Sequence, residues 1–129
     1  MRSRTLSDDP LQRVLLVVGL LAEAVEGAGE GDPGCLLASY CYEKDLMTPP
    51  VRRILGQALG GWRKRFGAAL REAAAVHPPR APVDFDLLAD HSNAVIEGAF
   101  IMARVLGRKG VVAAHLREFR RYLELLFEG

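Results

Sequence analysis

Little in this chain of 129 residues points to a chemistry, and each scarcity excludes something. It holds two cysteines, three histidines and one tryptophan. Cys35 and Cys41 stand six positions apart on a segment that reads as one helix. That spacing is about 9 Å along a helix axis, too far for a disulfide within it. Two buried thiols in a reducing compartment is the reading that remains. The histidines are scattered, no His-Glu-x-x-His occurs, and the thiols lack the close Cys/His spacing of a zinc site. No metal or cofactor is therefore expected. There is no Gly-x-Ser-x-Gly and no phosphate loop. Asp86, Asp90 and Glu97 share one helix face, but they read as a solvated stripe or a seam-edge ion pair. No catalytic residue is assigned, and an enzyme is not expected.

Charge of one sign is also missing. A formal net charge of +1 gives no bias toward nucleic acid or an anionic membrane. The basic run Arg63-Lys64-Arg65, with Arg52 and Arg53, reads as the solvated face of an amphipathic helix. The longest strongly apolar stretch, residues 14–21, is eight residues long, against the roughly 18 that span a bilayer. Acidic residues and glycines follow it, so no secretory cleavage pattern is present. A cytoplasmic protein with no membrane partner is the expectation. What the chain does have is apolar mass: half of it is hydrophobic, enough for one domain with a core of its own.

The pattern is helical throughout, with no sustained polar/apolar alternation. A first helix is expected after Asp8-Asp9-Pro10, with an acidic cap and Pro in the first turn. Leu11, Val14, Leu15, Val18, Leu21, Ala22 and Val25 form its stripe. Leu16, Val17 and Leu20 widen that stripe to most of the circumference, which predicts a well-covered helix. It should stop near Gly27, in a glycine-rich loop. Residues 33–43, Pro-Gly-Cys-Leu-Leu-Ala-Ser-Tyr-Cys-Tyr-Glu, predict a second, short helix over about 35–44. The third is long, capped by Thr48, begun by Pro49-Pro50 and ended by His77-Pro78-Pro79. Gly56, Gly60, Gly61 and Gly67 within it predict a bend near Gly60-Gly61, or else the close approach of a neighbour. A fourth helix, over about 84–106, carries its polar residues Asp86, Asp90, Asn93, Glu97 and Arg104 on one narrow stripe. The rest of its girth is apolar or small, so it must be covered on two sides. Gly107 ends it, and a fifth helix begins near Gly110 with the stripe Val112, His115, Leu116, Phe119, Tyr122, Leu123, Leu126 and Phe127.

Several of these pieces form a recognisable order. Gly34-Cys35-Leu36-Leu37 opens a short helix, and Pro49-Pro50-Val51-Arg52 opens a long one with Trp62 inside. Val95-Ile96-Glu97-Gly98-Ala99 and Ala103-Arg104-Val105 follow, then a closing amphipathic helix. The arrangement, over about residues 8–127, resembles the C-terminal ligand-binding half of a tetracycline-repressor-type (TetR) transcriptional regulator. The resemblance implies an all-α antiparallel bundle of about five helices, whose last two form a four-helix homodimer interface with their mates. It implies a regulatory domain over 8–129 after a disordered or linker remnant, 1–7. It also implies a small apolar or amphiphilic effector that shifts the populations of two helix arrangements, with DNA contacted only through a helix-turn-helix head that this chain lacks.

The candidate residues follow from both readings together. Tyr40, Leu55, Leu59, Trp62, Phe66, His91 and Val95 are the expected ligand-binding residues. For the aromatic members ordinary core packing is the competing reading, and for His91 a place in the dimer seam. Ala94, Gly98, Ile101, Met102, Val105, Leu116, Phe119, Tyr122, Leu123 and Leu126 are the expected dimer interface. His115 should flank that interface, and His77 should be a solvent-exposed loop residue. A stand-alone dimerisation module with a solid interior and no ligand is the alternative function.

Overall fold

The computed structural model of the chain describes residues 8–27 and 45–128. Within them lie four helices: α1 (Pro10–Gly27), α2 (Pro49–Val76), α3 (Phe85–Leu106) and α4 (Val111–Glu128). The short helix expected over 35–44, with Tyr40, Tyr42 and both cysteines, falls outside the described residues.

Local chemistry explains the ends. The Asp9 carboxylate accepts from the Leu11 amide at 3.2 Å, and the Asp9 carbonyl accepts from Arg13 at 3.1 Å. Asp9 thus caps α1, with Pro10 in the position where a missing N–H costs nothing. Thr48 caps α2 through its hydroxyl and the Val51 amide at 3.5 Å, and two prolines follow. The Asp84 carboxylate caps α3 by accepting from Leu87 at 3.0 Å. The hairpin between α3 and α4 turns on Gly107 and Gly110, at φ +62° and +78°, where a Cβ would be strained.

The helices form a ring in which α1 touches α2 and α4, and α3 touches the same two. Every neighbouring pair is antiparallel. Gln12 reaches Glu128 and Glu26 reaches Arg117, at opposite ends of α1 and α4. Arg63 bonds Asp90, while Arg71, two turns further along α2, bonds Asp86, nearer the start of α3. The core is aliphatic at its centre: Leu11, Leu15, Leu70, Leu116 and Leu123 are all but sealed from water. Each comes from a 3.6-residue stripe, as in Leu11, Val14, Leu15, Val18 and Ala22 of α1.

The structure refines three local expectations. On the wide side of α1, Leu16, Val17, Leu20 and Leu21 are half-buried, less closely covered than the sealed stripe. Helix α2 runs unbroken through Gly60-Gly61, and its close approach lies at Gly67. A Cβ there would stand 3.0 Å from the Asp86 carboxylate and 3.8 Å from the Phe85 carbonyl. His77 is not a free loop residue. It is half-buried, and its Nε2 sits 2.9 Å from the Asp9 carboxylate, tying the end of α2 to the start of α1. The same end is closed by the Arg80 amide, which donates to the Leu126 carbonyl at 2.9 Å.

At the opposite end, Arg117 grips Glu26 with two bonds, at 2.6 and 2.8 Å. The Arg117 hydrogen bond and charge hold the Glu26 carboxyl below its ordinary range. A depressed carboxyl stabilises the fold above its unfolded-state value and loses that contribution as pH falls through the folded one. The pair is solvent-exposed, so its effect is small and salt-sensitive. Glu26→Gln should melt slightly below the wild type at pH 7 in low salt. The two melting curves should converge below the carboxylate range, as calorimetry across pH would read.

Candidate functional site

Two features of the bundle are not explained by its own packing. The first is a groove between α1 and α2, open to solvent on one side, with a cavity volume of about 520 Å³. Val14, Val17, Phe66 and Ala69 form its apolar wall with Trp62, and Pro10 and Ala68 complete it. Trp62 and Phe66 stack with ring centroids 5.0 Å apart and planes 17° from parallel. Being one helical turn apart, they must share a face. The rim is charged: Arg13, Arg65 and Glu72. Arg13 spans the groove, donating to the Asp8 carbonyl at 2.9 Å and standing 3.9 Å from Glu72.

The groove is wired to α3. The Trp62 indole N–H donates to the Ser92 hydroxyl at 2.8 Å, and that hydroxyl donates to the Ala89 carbonyl at 2.7 Å. Ser92 is the one buried polar residue among those described. Beside it, Arg63 Nε lies 2.8 and 3.0 Å from the two Asp90 oxygens, which raises the guanidinium further above its ordinary value. Asp86 and Asp90, two of the four acidic or amide members of the α3 polar stripe, therefore face α2. Ser92→Ala should leave a half-buried indole N–H unsatisfied and destabilise the chain by about 1 kcal/mol. Denaturant titration measures that cost, and a shift in Trp62 emission would accompany it.

The second feature is the outer face of α3 and α4. Leu87, His91, Ala94, Gly98, Ile101 and Val105 recur at intervals of three and four, and every one is exposed. Leu87 is 64% and Val105 79% exposed, values unusual for such side chains on a ring of packed helices. Met102 and Leu106 broaden the stripe, and Tyr122 and Leu125 continue it on α4. His91 lies one turn from the start of the stripe, its ring 5.9 Å from that of Phe119.

A family model described as tetracyclin repressor-like, C-terminal domain, matches residues 10–123. The chain belongs to that family. TetR-like C-terminal domains are parts of transcription regulators, not enzymes, and the all-helical bundle agrees with that membership. No curated protein and no solved structure matches the chain. Among the described residues of this TetR-like domain, no three His, Cys, Asp or Glu side chains gather as a metal site. None of its described helices is long and apolar enough to cross a membrane.

Against these two features the expected residues divide. Trp62 and Phe66 line the groove. Leu55 and Leu59 lie half-buried on the N-terminal half of α2, and Val95 packs on the core from α3. His91 is away from the groove, on the outer face. Of the expected interface, Ala94, Gly98, Ile101, Met102, Val105 and Tyr122 are exposed together. Leu116, Phe119, Leu123 and Leu126 are a correction, because α1 and α3 already cover them inside the chain's own core. His115, expected at the interface flank, is half-buried. Arg13, Val17, Arg65, Ala69 and Glu72 of the groove, and Leu87, Leu106 and Leu125 of the outer face, lie outside the expected sets. Part of the signal was available, since Arg65, Ala69 and Glu72 recur every three or four residues from Trp62.

Proposed function

We propose that this domain is the ligand-sensing and homodimerising part of a cytoplasmic transcription regulator, with DNA contact supplied by a helix-turn-helix head outside these helices. The observation that carries it is the α3–α4 outer face. A stripe of five turns, apolar or small but for His91, has no covering partner among the described residues. Such a patch marks an interaction surface. A twofold axis through it would pair two helical hairpins into a four-helix interface, the common closed solution for a homo-oligomer.

The groove supports the sensing half of this reading over a ligand-free dimerisation module. Its volume and apolar lining, with a few polar groups at the rim, suit a mid-sized organic molecule. Ligand binding between α1 and α2 would bear on the dimer through Trp62–Ser92 and Arg63–Asp90, because α3 carries both partners and the outer stripe. A ligand shifts such an equilibrium only by its differential affinity for the two arrangements. Light scattering combined with a thermal-shift screen of small amphiphiles tests both halves. A dimer whose melting point rises with some of the compounds supports the proposal. A dimer with no responsive compound favours the ligand-free module, and a strict monomer removes the dimerisation claim.

A further inference from the structure

We infer that the outer ridge of α2, centred on Arg53 and Lys64, grips the phosphate backbone of duplex DNA without reading its sequence. This goes beyond the sensing and dimerising roles above and depends on neither. It adds a contact to the one assigned to the helix-turn-helix head and does not replace it.

The near-neutral total hides a segregation of charge. Helix α2 carries six cations and a single acid, Glu72, a net +5 in a chain of +1, so the residues outside it sum to −4. Packing engages two of the six, since Arg63 bonds Asp90 and Arg71 bonds Asp86. Arg52, Arg53, Lys64 and Arg65 are exposed, and their side chains have no hydrogen-bond or ion-pair partner among the described residues. Arg53 and Lys64 are eleven residues apart, which is three turns, so they stand on one line about 16 Å apart along the axis. Gln57 and Ala68, one turn on from each, share that face and are exposed. A Cβ built on Gly60, between them, would meet nothing within 4 Å. Cations separated by short side chains let a polyanion come close to the helix.

What the ridge lacks names the polyanion. A protein interface needs aromatic or large apolar anchors, and a membrane surface needs an apolar face beside the cations. The line through Arg53 and Lys64 has neither, and the exposed Ile54 lies about 100° round the helix from Arg53. Single-stranded nucleic acid asks for aromatic rings under its bases. Trp62 does not offer one on this ridge, because it is half-buried and stacked on Phe66. The phosphates of a duplex ask only for Arg, Lys and Gln donors held along a line. DNA is the duplex beside which a transcription regulator works.

Fluorescence anisotropy of a labelled duplex of arbitrary sequence, about 20 base pairs long, tests the ridge in about 50 mM salt. The wild type should bind, and the logarithm of its affinity should fall linearly with the logarithm of salt concentration. Arg53→Gln combined with Lys64→Gln should lower that slope by about two and weaken binding at least about tenfold. Arg108→Gln combined with Arg121→Gln removes the same charge away from α2 and should leave the slope unchanged. All four positions are exposed, so circular dichroism should be unaltered in both variants. An equal loss in the two variants would reduce the effect to net charge and overturn the ridge. A wild type that fails to bind the duplex overturns it too. So does one that prefers the single strand of the same sequence, or that binds phosphatidylserine vesicles and no duplex. None of these outcomes bears on dimerisation or on sensing in the groove, which light scattering and the thermal-shift screen read separately.

Discussion

Replacing Gly98 by glutamate is expected to turn a homodimer into a well-folded monomer. Gly98 lies mid-stripe on α3, exposed, and a Cβ built on it meets nothing within 4 Å in its own chain. Within the monomer the change is harmless or better, because glycine in an exposed helix interior costs about 0.5–1 kcal/mol relative to a side-chain-bearing residue. In the proposed dimer the same position would let two α3 backbones come close, and a glutamate there would remove that space and bury an unpaired charge. Leaving such a charge without a partner costs about 3–5 kcal/mol, and each 1.4 kcal/mol is about tenfold in affinity. Dimer affinity should fall by at least about a hundredfold while the helical signal is kept. A destabilised monomer would indicate instead that Gly98 serves the chain's own packing.

The second large effect separates two leucines only two positions apart. Leu123 is fully sealed in the core, whereas Leu125 is 55% exposed on the outer face. Leu123→Ala should cost about 3 kcal/mol of folding free energy, the transfer of its lost methyls plus a cavity between α1, α3 and α4. Leu125→Ala should alter monomer stability by less than about 0.5 kcal/mol, since leucine and alanine are both good helix formers. Its effect should appear as weaker self-association. Urea titrations on the dissociated protein and sizing of the associated one give the two readings. Interchanged results would mean that α4 is rotated about its axis relative to the bundle described here.

Those leucines also show what was legible in the amino-acid order. The helix ends at Asp9-Pro10, Thr48-Pro49, Asp84 and Gly107 were readable because capping is local, needing only a side-chain oxygen or a left-handed glycine. The wide apolar girth of α3 was readable too, since one neighbour covers only one stripe. The apolar stripe of α4 was equally plain, but a stripe does not say who covers it. Leu116, Phe119, Leu123 and Leu126 read as a seam between copies, yet the long α1–α4 contact uses them inside one chain. The groove required knowing that α1 and α2 run antiparallel, which brings Arg13 to Glu72 across 59 positions of sequence. No periodicity within one helix contains that pairing. The shared face of Trp62 and Phe66 fits a pocket wall and core packing alike, and it holds no trace of the charged rim.

The most direct measurement is sedimentation equilibrium of the wild type beside Gly98→Glu, over a range of micromolar concentrations, with circular dichroism on the same samples. Two copies meeting on the α3–α4 face predict twice the chain mass for the wild type, the single-chain mass for the variant, and equal helical signal. A wild type that stays at the single-chain mass throughout, or a variant that remains fully dimeric, would contradict it.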